Sequence, residues 1–353
     1  MKQLRKLGVD PGFGNIKIAE VQNGSIVTFA MSSAVGLVRD RKDGLSMNGI
    51  IRTRRRQDPY RITFDNVEYL VGPNVSDFTK PFTRMDFDRF TDSPELRATL
   101  YAALYRIINN GACDIALAMG LPVKVLEDET EAARVERGIR KWLLGIHKFS
   151  VNDSKMALNI VTVRAKIAQP VASWFEMGLN NEGQWIKGDN AASAPALIID
   201  QGFNTLDVLV VHQGRISSRH TSGDTLGMRR AAERLGDTLL RRYDLDLDLT
   251  ALDGLVQRVV NGKQAEVWVE GKAINVSQET KQALNSLQAD VVSFVERSVG
   301  LAKEYEIILT GGGALAMTPR LIRLFPHANV VYQPVLANAR GLAKMANRPG
   351  FLN

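Results

Sequence analysis

Asp10, Gly12, Gly14 and Lys17 fall within eight residues of one another in the stretch Leu4 to Val21, LRKLGVDPGFGNIKIAEV. Glycines in a turn let backbone N–H groups approach a phosphate closely, and a carboxylate beside them can hold Mg²⁺ through water. An apolar run ends at Asp10, the chain turns at Gly12 and Gly14, and a second apolar run begins at Ile16. That order predicts a β-hairpin with an acidic residue at its lip. Because D-x-G turns are common, the stretch alone also reads as a hairpin with an ordinary glycine turn.

The pattern comes twice. Ala196 to Val211, ALIIDQGFNTLDVLVV, again runs from an apolar strand through Asp200 and Gly202 to a second apolar strand. A repeated hairpin of this kind predicts a duplicated domain whose halves face each other across a cleft. A third glycine turn follows a strand at Ile307 to Ala314, IILTGGGA, with Gly311, Gly312 and Gly313 in succession. Three flat backbone surfaces suit a nucleotide, two for the phosphates and one for the adenosine face.

The elements that must position these turns are legible in outline. At 353 residues and 45% hydrophobic, the chain favours two domains with ample cores. No apolar stretch approaches the roughly 20 residues that span a bilayer. The N-terminus, MKQLRKLGVD, enters the first strand without a signal-peptide core. The expectation is a soluble cytoplasmic protein without a membrane partner. The single cysteine, Cys113, excludes an intrachain disulfide and reads as a small buried hydrophobe.

The net charge of +7 is concentrated between Arg39 and Arg56, RDRKDGLSMNGIIRTRRR. Such a segment could meet DNA, an acidic partner or a neighbouring subunit, and it equally reads as a solvated basic loop. No aromatic residues alternate with these arginines, which argues against a single-strand binder, so direct nucleic-acid binding is not expected.

Along the chain, Ser25 to Ala34 reads as strand, and Tyr60 to Phe64 with Val67 to Val71 as a strand pair. Thr91 to Asn110 has helix-start chemistry at Asp92 or Ser93 followed by Pro94 and Glu95, and Asn-Asn-Gly as its stop. Asp114 to Gly120 reads as strand, Glu127 to Leu144 as helix, and Lys148 to Ile167 as strands. This alternation predicts a mixed sheet covered on its faces. Gln169 follows directly, before a helical VASWFEMGL. Asn180 to Ala194 reads as an exposed loop, and Ser222 to Arg242 as a Gly-Asp turn followed by an amphipathic helix. Leu245 to Asp253 reads as an acidic connector, Val267 to Val276 as a hairpin, and Ser277 to Lys303 as a long helix.

The set of turns, in this order, resembles the actin, Hsp70 and sugar-kinase superfamily. Several strings resemble the plasmid-partition actins of the ParM/StbA type and archaeal actin-like proteins: GVDPGFGNIK, MGLPV (Met119 to Val123), AKIAQPVA (Ala165 to Ala172), IIDQGFNTLD, LTGGGA and ANARGLA (Ala337 to Ala343). The resemblance implies an α/β, actin-like fold of two ribonuclease H-like domains with a nucleotide cleft between them. Domain I would cover residues 1–165, with a small inserted subdomain at about 36–82. Domain II would cover 166–353, with a last helix at about 337–346 packing back towards domain I.

The resemblance also implies roles. Asp10 and Asp200 would hold hydrated Mg²⁺ from opposite sides of ATP. Backbone N–H groups of Gly12, Phe13, Gly14 and Asn15, and of Gly202, Phe203, Asn204 and Thr205, would cradle the β- and γ-phosphates. Lys17, seven residues after Asp10, stands at the offset of a phosphate-contacting lysine; otherwise it is an exposed strand residue. Gln169 would orient the attacking water, or else cap a helix at the surface. Asp207 would accept a hydrogen bond near that water. Gly223 and Asp224 would approach the ribose and base, and Thr310, Gly311, Gly312 and Gly313 would flank the adenosine. The activity implied is ATP hydrolysis, slow until a neighbouring subunit completes the site, in a filament that moves a plasmid or other cargo through a DNA-bound adaptor.

A small-molecule kinase or monomeric ATPase on the same scaffold is the alternative. An Hsp70-like protein would need a peptide-binding domain after the ATPase, and a cell-shape actin of the MreB type an apolar membrane anchor.

Overall fold

The computed structural model describes residues 4–38, 57–108, 113–186, 194–300 and 302–352. The basic segment 39–56 and the predicted helix stop at 109–111 lie outside the described residues. The first half is built on a sheet of nine strands: β1 (Leu4–Pro11), β2 (Asn15–Gln22), β3 (Ser25–Ser32), β4 (Val35–Leu37), β5 (Tyr60–Phe64), β6 (Val67–Val71), β7 (Asp114–Leu121), β8 (Gly145–Val151) and β9 (Ser154–Ala168). Their order is β3-β2-β1-β7-β9-β8-β5-β6-β4.

β1 pairs antiparallel with β2, Asp10 opposite Lys17, and parallel with β7. It is therefore a central strand, and its last five residues are buried, which is why it reads as an apolar run. Leu7, Val9, Leu117 and Met119 share a core with Leu96, Leu100 and Leu104. The last three lie on the helix Pro94–Ile108. Of the two candidate caps for that helix, Ser93 serves, its Oγ accepting from the Leu96 N–H at 3.0 Å.

The second half has its own sheet, β10 (Ala196–Gln201), β11 (Leu206–His212), β12 (Arg215–Ile216), β13 (Ser222–Asp224), β16 (Glu306–Thr310) and β17 (Asn329–Val330), with a separate hairpin β14 (Glu266–Val269) and β15 (Lys272–Asn275). The order β11-β10-β16 repeats β2-β1-β7: a hairpin whose first strand also pairs with a parallel neighbour. Leu197, Ile199 and Leu309 pack with Leu235, Val256 and Leu287. These last three come from the helices Arg229–Tyr243, Leu249–Val260 and Ser277–Val299.

Three local expectations are corrected. Residues 249–253 are not a connector but the first turns of the helix Leu249–Val260, capped by Asp248, whose carboxylate accepts from the Ala251 N–H at 2.9 Å. Gly223 and Asp224 form no turn, because they are held in β13 against β11. In the loop after residue 180, Trp185 is half-buried rather than exposed: its ring lies 5.0 Å from that of Trp174, tilted by 50°, and a bridge joins it to Leu179.

The helix Ala337–Asn347 lies across β1, β2 and β7 and against the helix Gln169–Gly178. Its Arg340 Nε and Lys344 Nζ bracket Glu176 at 2.8 and 3.0 Å. That buried grip fixes the helix start, where Asn338 stands. Among the described residues no helix is long and apolar enough to cross a membrane.

Candidate functional site

The two hairpin turns meet. At Gly14 an added Cβ would stand 2.8 Å from Cβ and Cγ of Phe203, so the first turn can carry no side chain where the second approaches it. Phe203 packs against the cores of both halves. Beside this contact opens a cavity of about 330 Å³, within the size range of small-molecule sites. Its walls are Asp10, Gly12, Phe13, Gly14, Asn15, Lys17 and Gln169 from the first half, and Asp200, Gly202, Phe203, Asn204 and Thr205 from the second. Gly311, Gly312 and Gly313 close it, with Met228, Asp253, Gln257 and Asn338. At Gly311, φ is +89° and a Cβ would strike Asp200 Oδ1 and the Gln201 carbonyl, so the third turn requires glycine there.

Asp10, next to last in β1, is nearly fully buried. Lys17, its register partner across the hairpin, places Nζ 3.1 Å from Asp10 Oδ2. Gln169 Nε2 donates to Oδ1 at 2.8 Å. Gln169 is neither exposed nor an ordinary cap: β9 ends at Ala168, Pro170 helps start the next helix, and the side chain at the joint is buried against Asp10. Lys17, likewise, is not an exposed strand residue.

Asp200 is held in a matching way. Asn338 Nδ2 donates to its Oδ2 at 2.8 Å. Asn338 Oδ1 accepts from Ser173 Oγ at 2.6 Å, and that hydroxyl lies 2.8 Å from Thr310 Oγ1. Burial, and then the charge of Asp10, push the Asp200 carboxyl up to about 6, against the Asn338 hydrogen bond and Lys17. Among the described residues no donor reaches its Oδ1. That leaves a buried carboxylate with one open oxygen on the cavity, a group able to take up a cation.

Four predicted residues are not on the cavity wall. Asp207 turns the other way: Oδ1 accepts from the Val123 N–H and Oδ2 from Thr205 Oγ1, both at 3.1 Å, so it ties the second hairpin to the first half. Burial first, then the neighbouring Asp200 charge, raise it well above the usual carboxylate range. Thr310 spends its hydroxyl on Ser173. Gly223 donates its N–H to Glu127 Oε1 at 2.9 Å, and Asp224 stands beside it on the edge strand.

Asn338, Ser173, Asp253 and Gln257 were not singled out by the sequence. A helical reading of 249–260 would have found the last two, because Asp253 and Gln257 are one turn apart and Gln257 Nε2 donates to Asp253 at 3.3 Å. Asn338 carries no local signal.

The residues present fit Mg²⁺ with a nucleotide. Mg²⁺ takes few direct protein ligands and keeps its waters, and two carboxylates face one cavity walled by glycine turns. Among the described residues no group of three or more His, Cys, Asp or Glu could hold a metal ion by itself.

Residues 8–171 match the family model of the N-terminal domain of actin-like proteins, and residues 198–323 that of the C-terminal domain of archaeal MreB-like actin homologues. No curated protein sequence gave a significant match. Solved structures align over nearly the whole chain. The subunit of a 15-stranded ParM filament from Clostridium botulinum aligns at 19% identity and a TM-score of 0.75, covering 99% of this chain and 100% of that one. Ta0583, an archaeal actin homologue, aligns at 15% identity and a TM-score of 0.73, covering 98% and 99%. ParM of Bacillus thuringiensis with AMPPNP aligns at 15% and 0.65, again covering 98% and 99%. Those identities speak for the fold, and the two family matches for descent: the chain belongs to the actin-like proteins.

Proposed function

We propose that the chain binds Mg·ATP in the cavity between its hairpins, hydrolyses it, and uses that reaction to control a filament of its own copies, in plasmid or other DNA segregation. One observation carries the reading: Asp10 and Asp200, from equivalent strands of the two sheets, face one cavity, each with one oxygen held by a carboxamide. The fold shared with the subunit of a ParM filament and with a ParM that holds AMPPNP supports assembly and nucleotide.

In this reading Mg²⁺ supplies charge neutralisation at the phosphates. Asp10 and Asp200 hold it through water, the hairpin N–H groups bind the phosphate oxygens, and Lys17 neutralises charge beside Asp10. Gln169 is fixed by Asp10 with its carbonyl oxygen left to orient a water. No strong base is needed where positioning and electrostatics supply the rate. Asp253 and Gln257 fall to the nucleoside end, with Gly311 to Gly313. The halves are taken to divide near residues 165–166, just before β9 ends at Ala168 and the helix bearing Gln169 begins. The protein works in the cytoplasm, and an adaptor on DNA would recruit the filament.

The test is right-angle light scattering with simultaneous phosphate release after adding Mg·ATP, beside Asp200→Ala. Scattering that rises above a critical concentration and decays as phosphate appears is the expected result, with turnover at least about 100-fold lower in the variant. Phosphate release without scattering at any concentration would leave a monomeric ATPase or a kinase.

A further inference from the structure

Among the described residues, Arg89 is the most deeply buried guanidinium that the site does not use. It lies in the short helical turn Phe87–Phe90 and is 6% exposed. Among the described residues it makes no hydrogen bond and no ion pair. What it does touch is aromatic. Its Cζ stands 4.7 Å from the ring centre of Phe13 and 5.9 Å from that of Phe90. The Phe13 ring is further enclosed edge-on by Phe87 and Phe90, at 5.8 and 5.7 Å.

A guanidinium normally spends its five donors on carboxylates, phosphates or carbonyls, and burying one without them is costly. Arg89 instead borders a cavity of about 30 Å³ that Phe13, Ser93 and Glu95 also line, room for water but not for a sizeable ligand. The nearest opposite charges, Glu95 first and then Asp86, act on it only through space, and burial lowers its pKa to about 10. Arg84 is already paired with Asp86 at 2.9 Å. Glu95 Oε2 accepts from Ser93 Oγ at 2.6 Å.

Phe13 is the shared wall. Its ring is stacked under Arg89, while its backbone belongs to the turn that borders the large cavity. We infer that Arg89 is a positioning residue for the nucleotide phosphates: an uncompensated positive charge built in behind the first hairpin turn, with Phe13 as spacer. This rests on the phosphate reading of the large cavity. Field lines from a charge held against the rings of Phe13 and Phe90, away from bulk solvent, are screened less by salt than those of a surface charge. They reach the large cavity by way of Phe13, which lines both cavities, adding to Lys17. A polyanionic ligand supplies the compensation that the protein itself withholds, so the effect grows with ligand charge. A purely structural prop for Phe13 would make no distinction between charged and uncharged ligands.

Affinities of the full-length chain for ATP, ADP and adenosine, each with Mg²⁺, give the test by calorimetry on wild type, Arg89→Met and Glu95→Gln. Methionine keeps most of the packing volume and removes the charge. The expected ladder in Arg89→Met is a loss of about tenfold for ATP and about threefold for ADP, with adenosine changed by less than about twofold. Glu95→Gln removes the opposing charge, so ATP should tighten by about twofold to threefold with adenosine unmoved. Raising salt from 0.05 to 0.5 M, roughly a threefold fall in Debye length, should leave the ATP ratio between wild type and Arg89→Met nearly constant.

Equal losses for all three ligands, or no loss for ATP, overturn the inference. If Arg89→Met does not fold, Glu95→Gln decides alone: no tightening for ATP overturns it. A wild type that binds adenosine and ATP alike also overturns it. A wild type that binds neither removes the reading of the cavity itself.

Discussion

The two hairpins share a backbone plan and differ in what stands opposite the key aspartate. In the first, Asp10 faces Lys17 across the ladder; in the second, Asp200 faces Asp207. Directly opposed residues in an antiparallel pair lie close on the same face of the sheet, so the first pairing is an ion pair and the second a like-charge pair. The first hairpin is therefore electrostatically complete in itself. The second is not: burial and then the Asp200 charge raise Asp207 well above its usual range, while burial and then the charge of Asp10, from the first hairpin, push Asp200 up to about 6. The two halves share a backbone plan but carry opposite charges at one equivalent register position, an ion pair in one hairpin and a like-charge pair in the other.

The largest effect should come from removing the ion pair. Lys17→Met leaves Asp10 buried with Gln169 alone, and loss of one partner of a buried pair costs about 3 kcal/mol. At the equivalent position Asp207→Asn should do the reverse at pH 7. The amide oxygen can still accept from the Val123 N–H, Thr205 Oγ1 can accept from the new Nδ2, and a like charge is gone. A gain of about 1 kcal/mol is expected from relieving that repulsion. Urea midpoints of both variants, with ATP left out, check the pair. Two changes of the same sign would mean that the hairpins are not electrostatic opposites.

The pH profile sharpens the contrast without a substitution in the first half. Between the unfolded carboxyl at 3.8 and the folded Asp200 at about 6, the native state keeps a proton that the unfolded state has lost. Stability from this group is therefore greatest below about pH 4 and falls as pH rises to about 6, by about 3 kcal/mol in all. Subtracting the profile of Asp200→Asn from that of wild type isolates it; a flat difference would refute the assignment. Nucleotide runs the other way. Because the cation needs the charged carboxylate, affinity for Mg·ATP should weaken by up to about tenfold per pH unit below 6, while adenosine stays level.

Much of this was legible beforehand because it is local. Each hairpin is announced by an apolar run, an aspartate and glycines, and the third turn by Gly311 to Gly313, since close backbone approach leaves a mark in residue type. The charge environment was partly legible too: the family resemblance implied a role for Lys17 at its offset from Asp10. What could not be read was long-range. Asn338 reaches Asp200 from 138 positions away, and Asp207 reaches Val123 from 84. Asp207 and Thr310 share the sheet face of Asp200 yet are taken up by Val123 and Ser173 rather than the cavity, and such side chains cannot be told from lining ones until the opposing half is in place. The helix Leu249–Val260 was hidden for another reason. The alternation Asp244-Leu-Asp-Leu-Asp248 carries a strand-like period right up to its cap, and Gly254 interrupts the helical pattern.

Asn338 offers the most discriminating change. Asn338→Ala removes the hydrogen bond that opposes the rise in the Asp200 pKa, while Ser173 keeps Thr310 as a partner. The stability cost should be about 1.5 kcal/mol, as for a hydrogen bond to a carboxylate. The more telling consequence is directional. With that bond gone, the pH below which Mg·ATP binding weakens should move above 6, so at pH 7 the variant should bind Mg·ATP more weakly and recover at pH 8. Gln169→Ala removes the matching bond in the first half, but Lys17 still faces Asp10, and no comparable shift of the pH midpoint should follow. A midpoint displaced equally in the two variants would mean that the hairpins behave alike after all, and that the carboxamides rather than the residues across the ladder set the charge of the site.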